Sequence, residues 1–408
     1  MRQRTAIVIG GGIGGLTAAV ALDHRGWSVT VLERAAALEP VGAGIGLAPN
    51  AQRALDTVGA GDAVRAMAAS QRAGELRLPS GRLLARTDNA AAVRRFGGPV
   101  VVAHRADLVA LLTARLPGGT VRTGARAHLV DEGDPLRDDR PARVRTTEPE
   151  GGGTASEGRA EELTADLVVA ADGIHSAVRR TLFPGHPEPR YAGFTAWRFV
   201  VPAPAATAGS RYAAHETWGP GGVWGSVPLH DGRVYAYATA AVPPGERTDA
   251  DQRTELLHRF GDWHRPVPDL LAAVDPAAVL RNDVHTAAAA PPAFHRGRVA
   301  LLGDAVHPMT PNLGQGGCQA IEDAVVLSHE AAPDADLSAA LAAYTGQRLP
   351  RTMDVVRRAE RIGRLTTWRS RPACVLRGAA MAATARLAPD LVLRGLDGIA
   401  DWRPPAAP

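Results

Sequence analysis

The chain has 408 residues, 45% hydrophobic and 22% charged, with a formal net charge of +4. That is enough for a sizeable core and two domains; the charge is too weak to imply nucleic acid, and the basic residues, all arginine, are scattered among acids rather than clustered. Two cysteines, Cys318 and Cys374, exclude a disulfide framework and a cysteine metal cluster, and with neither a leader-like start nor an apolar run of bilayer length the expectation is a soluble, cytoplasmic, metal-free protein without stable membrane association.

Thr5 to Ile9 reads as a short buried strand. GGGIGG follows at residues 10 to 15, then a helical stretch from Leu16 to Arg25 stopped by Gly26. Ser28 to Leu32 reads as a second strand ending in Glu33 and Arg34. Strand, glycine turn, helix, strand and terminal acid form a dinucleotide-binding fingerprint. In Gly10-x-Gly12-x-x-Gly15, the first glycine serves the tight turn, the second the approach of a pyrophosphate, and the third the packing of helix on strand. Phosphates are expected on the free amides of the helix N-terminus, ribose hydroxyls on Glu33, and adenine under Arg34. The ligand at this stage is NAD(P) or FAD.

Further strand-like runs occur at Leu76–Leu78, Leu83–Ala85, Val100–Ala103, Val121 and Leu167–Ala170. Residues 131–162 are polar, with glycines at 151–153, and read as a surface hairpin or loop. From Tyr191 to Ala240 the pattern becomes strands rich in Trp, Tyr, Val and Thr, with a turn near Asp231-Gly232. A helix is expected near Asp251–Phe260 and a buried strand at Arg298–Leu302. Long helical segments then run to the end, broken by Pro350, Pro372 and Pro389.

Two distant segments narrow the cofactor. VVAADGIHSAVRR, Val168 to Arg180, is a strand ending in Asp172-Gly173 before a helix. RVALLGDAVHPMTPNLGQGGCQAIEDAVVL, Arg298 to Leu327, is a strand ending in Gly303-Asp304, then a proline- and glycine-rich loop into a new helix near Gly317. With the N-terminal fingerprint, these resemble the three signatures of the single-component FAD-dependent aromatic hydroxylases, the group that includes p-hydroxybenzoate, salicylate and urate hydroxylases and zeaxanthin epoxidase. GAGIGLAPNAQRAL (Gly42 to Leu55, containing Gly46) and HRADLVALL (His104 to Leu112) also look like family segments, so the resemblance covers nearly the whole chain.

The resemblance implies an α/β fold: a Rossmann-like FAD-binding domain of the p-hydroxybenzoate hydroxylase type (residues 1–73, 93–183 and 283–360), an inserted mixed β-sheet substrate domain (74–92 and 184–282) and a C-terminal helical region (361–408). It implies an NAD(P)H:oxygen monooxygenase that hydroxylates or epoxidises an aromatic or electron-rich substrate through a flavin C4a-hydroperoxide, in natural-product biosynthesis or aromatic catabolism. NADH or NADPH binds transiently, since no second glycine fingerprint is present. By the same resemblance Asp304 and Gly303 serve the ribityl chain, Arg105 and Asp172 contact FAD, and Pro308 and Pro311 shape a loop beside the ring. Bare amides at Gly314, Gly316 and Gly317 face the flavin, and the helix dipole stabilises charge on it. Asp304 and Asp172 as helix caps and Arg105 in a surface salt bridge are the alternative readings. Cys318 is read as packing filler.

Alternation puts Tyr235 and Tyr237 on one strand face and Trp224 and Ser226 on one face; one of these should roof the flavin. Tyr235 falls where relatives place a substrate-contacting tyrosine. Trp197, Trp224, Tyr235 and Tyr237 are the candidate pocket residues, with His215 and His230 as bases for a phenol; core packing for the aromatics and a solvated surface for the histidines are the alternatives. The composition suggests a bulky, weakly polar aromatic or polycyclic substrate, used with dioxygen by a monomer or homodimer. The stretch Arg361 to Trp402 alternates arginine with apolar clusters and is expected to pack on the FAD domain over the substrate entrance, with an amphipathic membrane-surface helix as the other reading. A flavin halogenase is disfavoured by the absence of lysine; a flavin-free dehydrogenase and a catalytically silent flavin-binding protein are the remaining rivals.

Overall fold

The computed structural model describes residues 2–38, 43–67, 73–148, 159–204, 213–387 and 393–406. Gly42, the glycines at 151–153 and Pro389 lie outside them.

The first sheet has six strands. In spatial order they are His295–Arg296, Val299–Leu301, Leu167–Ala170, Thr5–Ile9, Ser28–Glu33 and Val121–Thr123. All but the first run parallel. Parallel strands need both faces covered, and Leu167 to Ala170 are at or near zero exposure. The helix Ile13–His24 packs on this sheet and is buried from Ile13 to Leu22. A helix apolar on every side has no solvent face; this one lies between the sheet and the helix Gly316–Glu330, where a Cβ on Gly14 would stand 3.0 Å from Ala320 Cβ. A three-stranded antiparallel meander, Arg126–Asp131, Ala142–Glu148 and Arg159–Ala165, occupies much of the stretch read as a hairpin or loop.

The second large sheet has seven strands in the order Leu280–Thr286, Arg190–Pro202, Arg233–Ala240, Gly222–Pro228, Ala214–Gly219, Ala73–Arg77 and Leu83–Asp88. One face packs on its own helices, Gln252–Phe260 and Val267–Ala272, with Trp197, Phe199, Trp224, Leu256, Phe260 and Leu270 in the core. The other face turns toward the first domain. A two-stranded ribbon, Gly44–Leu47 paired with Val101–His104, stands between the two. The arrangement is the expected Rossmann-like domain with an inserted mixed sheet and C-terminal helices.

Two boundaries differ from expectation. The strand Leu280–Thr286 crosses residue 283, because its pairing to Arg190–Pro202 holds it in the second sheet. Residue 361 falls inside one continuous helix, Leu337–Thr366, and Pro350 does not break it. Proline there removes one backbone bond, but buried Tyr344 and Arg348 before it and Met353, Val355 and Val356 after it keep both halves seated on the body. Pro372 sits in the first turn of the helix Arg371–Leu387, where its missing N–H has no intrahelical partner to lose. Among the described residues no helix is long and apolar enough to cross a membrane, and no cluster of three or more His, Cys, Asp or Glu has the placement of a metal site.

Candidate active site

Four neighbouring parallel strands end at the same edge of the first sheet, and each delivers one of the sequence's candidate groups. Thr5–Ile9 leads into Gly10, Ser28–Glu33 ends in Glu33, Leu167–Ala170 leads to Asp172, and Val299–Leu301 leads to Gly303 and Asp304. Ligands of open α/β sheets bind outside the carboxyl ends of the strands. Gly10 has φ +109°, and a Cβ there would stand 2.3 Å from the Ala171 carbonyl oxygen. A Cβ on Gly15 would stand 2.0 Å from the Gly10 carbonyl oxygen, whereas one on Gly12 would meet nothing within 4 Å. The turn is thus closed on its protein side and open where a phosphate would approach. Gly12 caps the helix without a side-chain bond, and no acid lies in the first turn, so its first amides remain available to an anion.

Glu33 accepts hydrogen bonds from the Gly11 and Ala35 amides at 2.6 and 2.8 Å. These hold its carboxylate beside the glycine turn and leave lone pairs for ribose hydroxyls. Arg34 is exposed next to it. One oxygen of Asp172 accepts from the Val178 amide at 3.2 Å; the other is buried without a partner among the described residues. Ser176, not Asp172, is the N-cap of the following helix. Asp304 is open to solvent yet ringed by protein, without a hydrogen bond to any described residue. Its confinement raises the carboxyl above its ordinary range, against the opposing pull of His307, Arg105 and Arg198. Arg105 makes no ion pair with a described residue; desolvation lowers its pKa, with Asp304 raising it and Arg198 lowering it further. An open glycine cradle, an orphaned buried carboxylate oxygen and an unpaired acid beside two arginines fit a diphosphate-linked, polyhydroxylated cofactor.

The loop from Pro311 ends at Gly314 (φ +62°), after which the helix Gly316–Glu330 starts without a side-chain cap. A Cβ on Gly317 would fall 2.8 Å from Ile45 Cδ1, so the helix start abuts the ribbon that carries Gly46. On the ribbon's other side, a Cβ on Gly44 would fall 2.5 Å from the Tyr235 ring. Tyr235 therefore faces the first domain, clustered with Ala43, Val102 and Leu229. Tyr237 lies on the same face, its ring 5.8 Å from that of Tyr235, and its hydroxyl donates to Glu216, which also accepts from Trp218 Nε1 at 2.8 Å. Burial, reinforced by the Glu216 charge, pushes the Tyr237 pKa well up. Burial also raises that of Tyr235.

Three candidates fall on the opposite face and are corrected. Trp197 and Trp224 are fully buried in the sheet's own core; Trp224 packs on Phe199 and Phe260 with ring centroids 5.9 and 6.2 Å apart. His215 pairs across strands with Ser226, one residue beyond Gly225 on the other face. Burial, with the nearby His264, lowers its pKa to about 4, so it is neutral at pH 7 and remote from Tyr235. His230 is exposed near the Gly232 turn. Cys318 is buried, its thiol pushed up to about 12 by that burial, which suits packing and not redox chemistry.

Two features went unassigned in the sequence. Arg198 lies opposite Tyr237 across paired strands, on the tyrosine face, with Asp304 and Arg105 in its field and no hydrogen bond to a described residue. Alternation from Trp197 sets it on the opposite strand face but carries no information on which face turns inward. Beneath the loop, Arg348 is 1% exposed and bonds Glu322, Asp323 and Gln319 at 2.6, 2.7 and 2.8 Å. Asp323 also meets His307 Nε2 at 2.5 Å and accepts from the Gly303 amide at 3.0 Å. Asn50 donates to Gln315 and Glu322, locking the start of the Gly316 helix. Adjacent acids inside an apolar helix, QAIEDAVV, were the available signal.

The FAD binding domain family matches residues 3–359. The aurachin C monooxygenase/isomerase of Stigmatella aurantiaca is 39% identical over 91% of this chain and 92% of its own length. The 3-amino-4-hydroxybenzoate 2-monooxygenase of Streptomyces cremeus is 36% identical, covering 92% and 91%. The crystal structure of Klebsiella pneumoniae HpxO complexed with FAD and uric acid superposes with TM-score 0.82 at 31% identity, over 96% of this chain and 97% of that one. With its glycine turn, Asp172 and Asp304 gathered at one sheet edge, the chain belongs to the FAD binding domain family and is a FAD-dependent monooxygenase of the aromatic hydroxylase group.

Proposed function

We propose that the substrate is an electron-rich hydroxy-aromatic compound of low polarity, held between the loop Pro311–Gly317 and the sheet face bearing Arg198, Tyr235 and Tyr237. The observation that carries this reading is the contact of Tyr235 with Gly44: it brings the sheet's tyrosine face, and not its tryptophan face, against the ribbon beside the loop. The similar proteins act on, or bind, aurachin C, an aminohydroxybenzoate and uric acid, which supports a ring substrate with electron-donating groups.

When bound, FAD supplies hydride acceptance from NADH or NADPH and activation of dioxygen. The protein's part is to bind, orient and exclude water. Gly12, Glu33, Asp172 and Asp304 hold the diphosphate and sugar portions. The amides at Gly316 and Gly317, with the positive end of their helix, favour negative charge on the reduced ring. Ala43, Val102, Leu229 and Tyr235 form an apolar wall. Arg198 faces the same space; an unpaired guanidinium there lowers the pKa of a substrate hydroxyl and makes the ring more nucleophilic. No histidine base is required, and the neutral His215 on the far face supplies none. Tyr237, held by Glu216, positions the ring without ionising.

The test is a screen of phenols, indoles and hydroxylated heteroaromatics for acceleration of nicotinamide oxidation by the FAD-loaded protein, with mass spectrometry of the product. A ligand that both accelerates oxidation and gains one oxygen atom is expected, and Arg198→Gln should slow its turnover at least tenfold. Nicotinamide oxidation indifferent to every ring compound, with no oxygenated product, would identify a silent flavoprotein instead.

A further inference from the structure

The helix Arg371–Leu387 presents an apolar face to solvent. Pro372, Val375, Leu376, Ala379, Ala383 and Leu387 fall on one side at helical spacing, and all are exposed. Val375 and Leu376 are each 69% exposed and Leu387 is 86% exposed. Surface helices ordinarily turn the polar side outward, and an exposed apolar patch marks an interaction site. The opposite side seats the helix: Cys374, Arg377 and Gly378 are buried, and a Cβ on Gly378 would lie 3.5 Å from Leu78 and 3.9 Å from Leu84.

The helix and the chain leading into it carry charge of one sign. From Arg361 to Leu387 the sequence contains Arg361, Arg364, Arg369, Arg371, Arg377 and Arg386 and no Asp or Glu. Arg371 and Arg386 are exposed at the two ends of the helix, and Trp368, 40% exposed, lies just before it. Exposed aliphatic residues flanked by arginine and tryptophan match what an interfacial helix needs: apolar side chains for the acyl boundary and cations for anionic headgroups. A second copy of the chain fits less well. An isologous dimer applies the same patch to itself, which opposes arginine to arginine with no acid on the helix itself to balance them.

We propose that this face docks reversibly on an anionic phospholipid surface. Its position gives the docking a use, and this part alone rests on the function proposed above. Arg377 lies over the Trp218 ring at 5.4 Å and donates to the Gly219 carbonyl at 3.1 Å. Trp218 bonds Glu216, the partner of Tyr237. The docked helix thus adjoins the pocket wall through three packed side chains, and an apolar aromatic compound dissolved in the bilayer would be presented to the site.

The test is co-sedimentation of the FAD-loaded protein with phosphatidylglycerol–phosphatidylcholine vesicles at low salt, alongside pure phosphatidylcholine vesicles. Binding to the anionic vesicles is expected, weakened by salt and at least tenfold weaker on pure phosphatidylcholine. The double variant Val375→Glu/Leu376→Glu should lose at least tenfold in vesicle affinity while keeping wild-type flavin absorbance and melting temperature, since both side chains are exposed. A second variant, Arg371→Glu/Arg386→Glu, should lose anionic selectivity. Wild-type protein that stays in the supernatant, or variants that bind as well as wild type, would overturn the proposal. So would a homodimer that Leu376→Glu dissociates without any vesicle binding, which would assign the face to a second copy. None of these readouts uses turnover, so failure here leaves the catalytic reading intact.

Discussion

Arg348→Met removes the cation from the most deeply buried ionic cluster. Arg348 is 1% exposed and Glu322 and Asp323 are 0% exposed. Methionine keeps the apolar stem but leaves two buried carboxylates short of a shared partner, a loss of about 3–5 kcal/mol. Arg351 still pairs with Glu322 at 2.7 Å and His307 with Asp323, which favours the lower end of that range. An unfolding entropy of about 2.1 cal/mol/K per residue over 408 residues converts the loss to roughly 4–6 °C in Tm. Because the cluster also fixes Gln315 and Asn50 at the start of the Gly316 helix, FAD affinity should fall along with Tm. The assay is thermal melting of the FAD-loaded protein, followed by flavin fluorescence during titration of the apoprotein. A Tm within about 1 °C of wild type, with unchanged FAD affinity, would show that the cluster neither stabilises the fold nor holds the loop.

The other predictions concern pH, the glycine turn and the two sheet faces. Burial resists the charge on Asp323, but His307 and Arg348 outweigh it and bring its pKa from 3.8 to about 2. A depressed folded pKa stabilises the protein fully above the unfolded value of 3.8 and loses that contribution as pH falls through about 2. The shift is worth roughly 2 kcal/mol, so Asp323→Asn should flatten the acid limb of a stability profile measured by denaturant titration; a profile unchanged in that window would refute the assignment. Gly15→Ala, with a Cβ 2.0 Å from the Gly10 carbonyl oxygen, should yield a protein purified without yellow colour. Gly225→Ala puts a Cβ 2.1 Å from the Tyr237 ring and should raise the KM for the aromatic substrate severalfold with little effect on FAD content. His215→Ala should retain kcat within about twofold, because the residue is neutral and on the far side of the sheet; a hundredfold loss would reinstate it as a base.

Much of the cofactor edge was legible because glycine turns and strand-terminal acids are local signals. Gly10 to Gly15, Glu33, Asp172 and Asp304 each follow or end an apolar run short enough to be a buried parallel strand, and their convergence follows from adjacent strands ending at one edge. The sheet face was not legible. Alternation separates Trp224 from Tyr235 but does not say which side turns inward, and the tryptophans, more apolar, were taken up by the sheet's own helices through Leu256, Phe260 and Leu270. Arg198 was hidden for the same reason. Pro350 misled because the local cost of proline was outweighed by burial on both sides of it. The Arg348 cluster joins residues 50, 307, 323 and 348, and no local pattern reveals a contact across that separation.

The most direct measurement is a crystal structure of the FAD-loaded protein with an aromatic ligand that accelerates nicotinamide oxidation. The ring should lie between the Pro311–Gly317 loop and the Tyr235–Tyr237 face, with an oxygen toward Arg198. A ligand lodged among Trp197, Trp224 and His215, or FAD seated away from Gly12, Asp172 and Asp304, would contradict it.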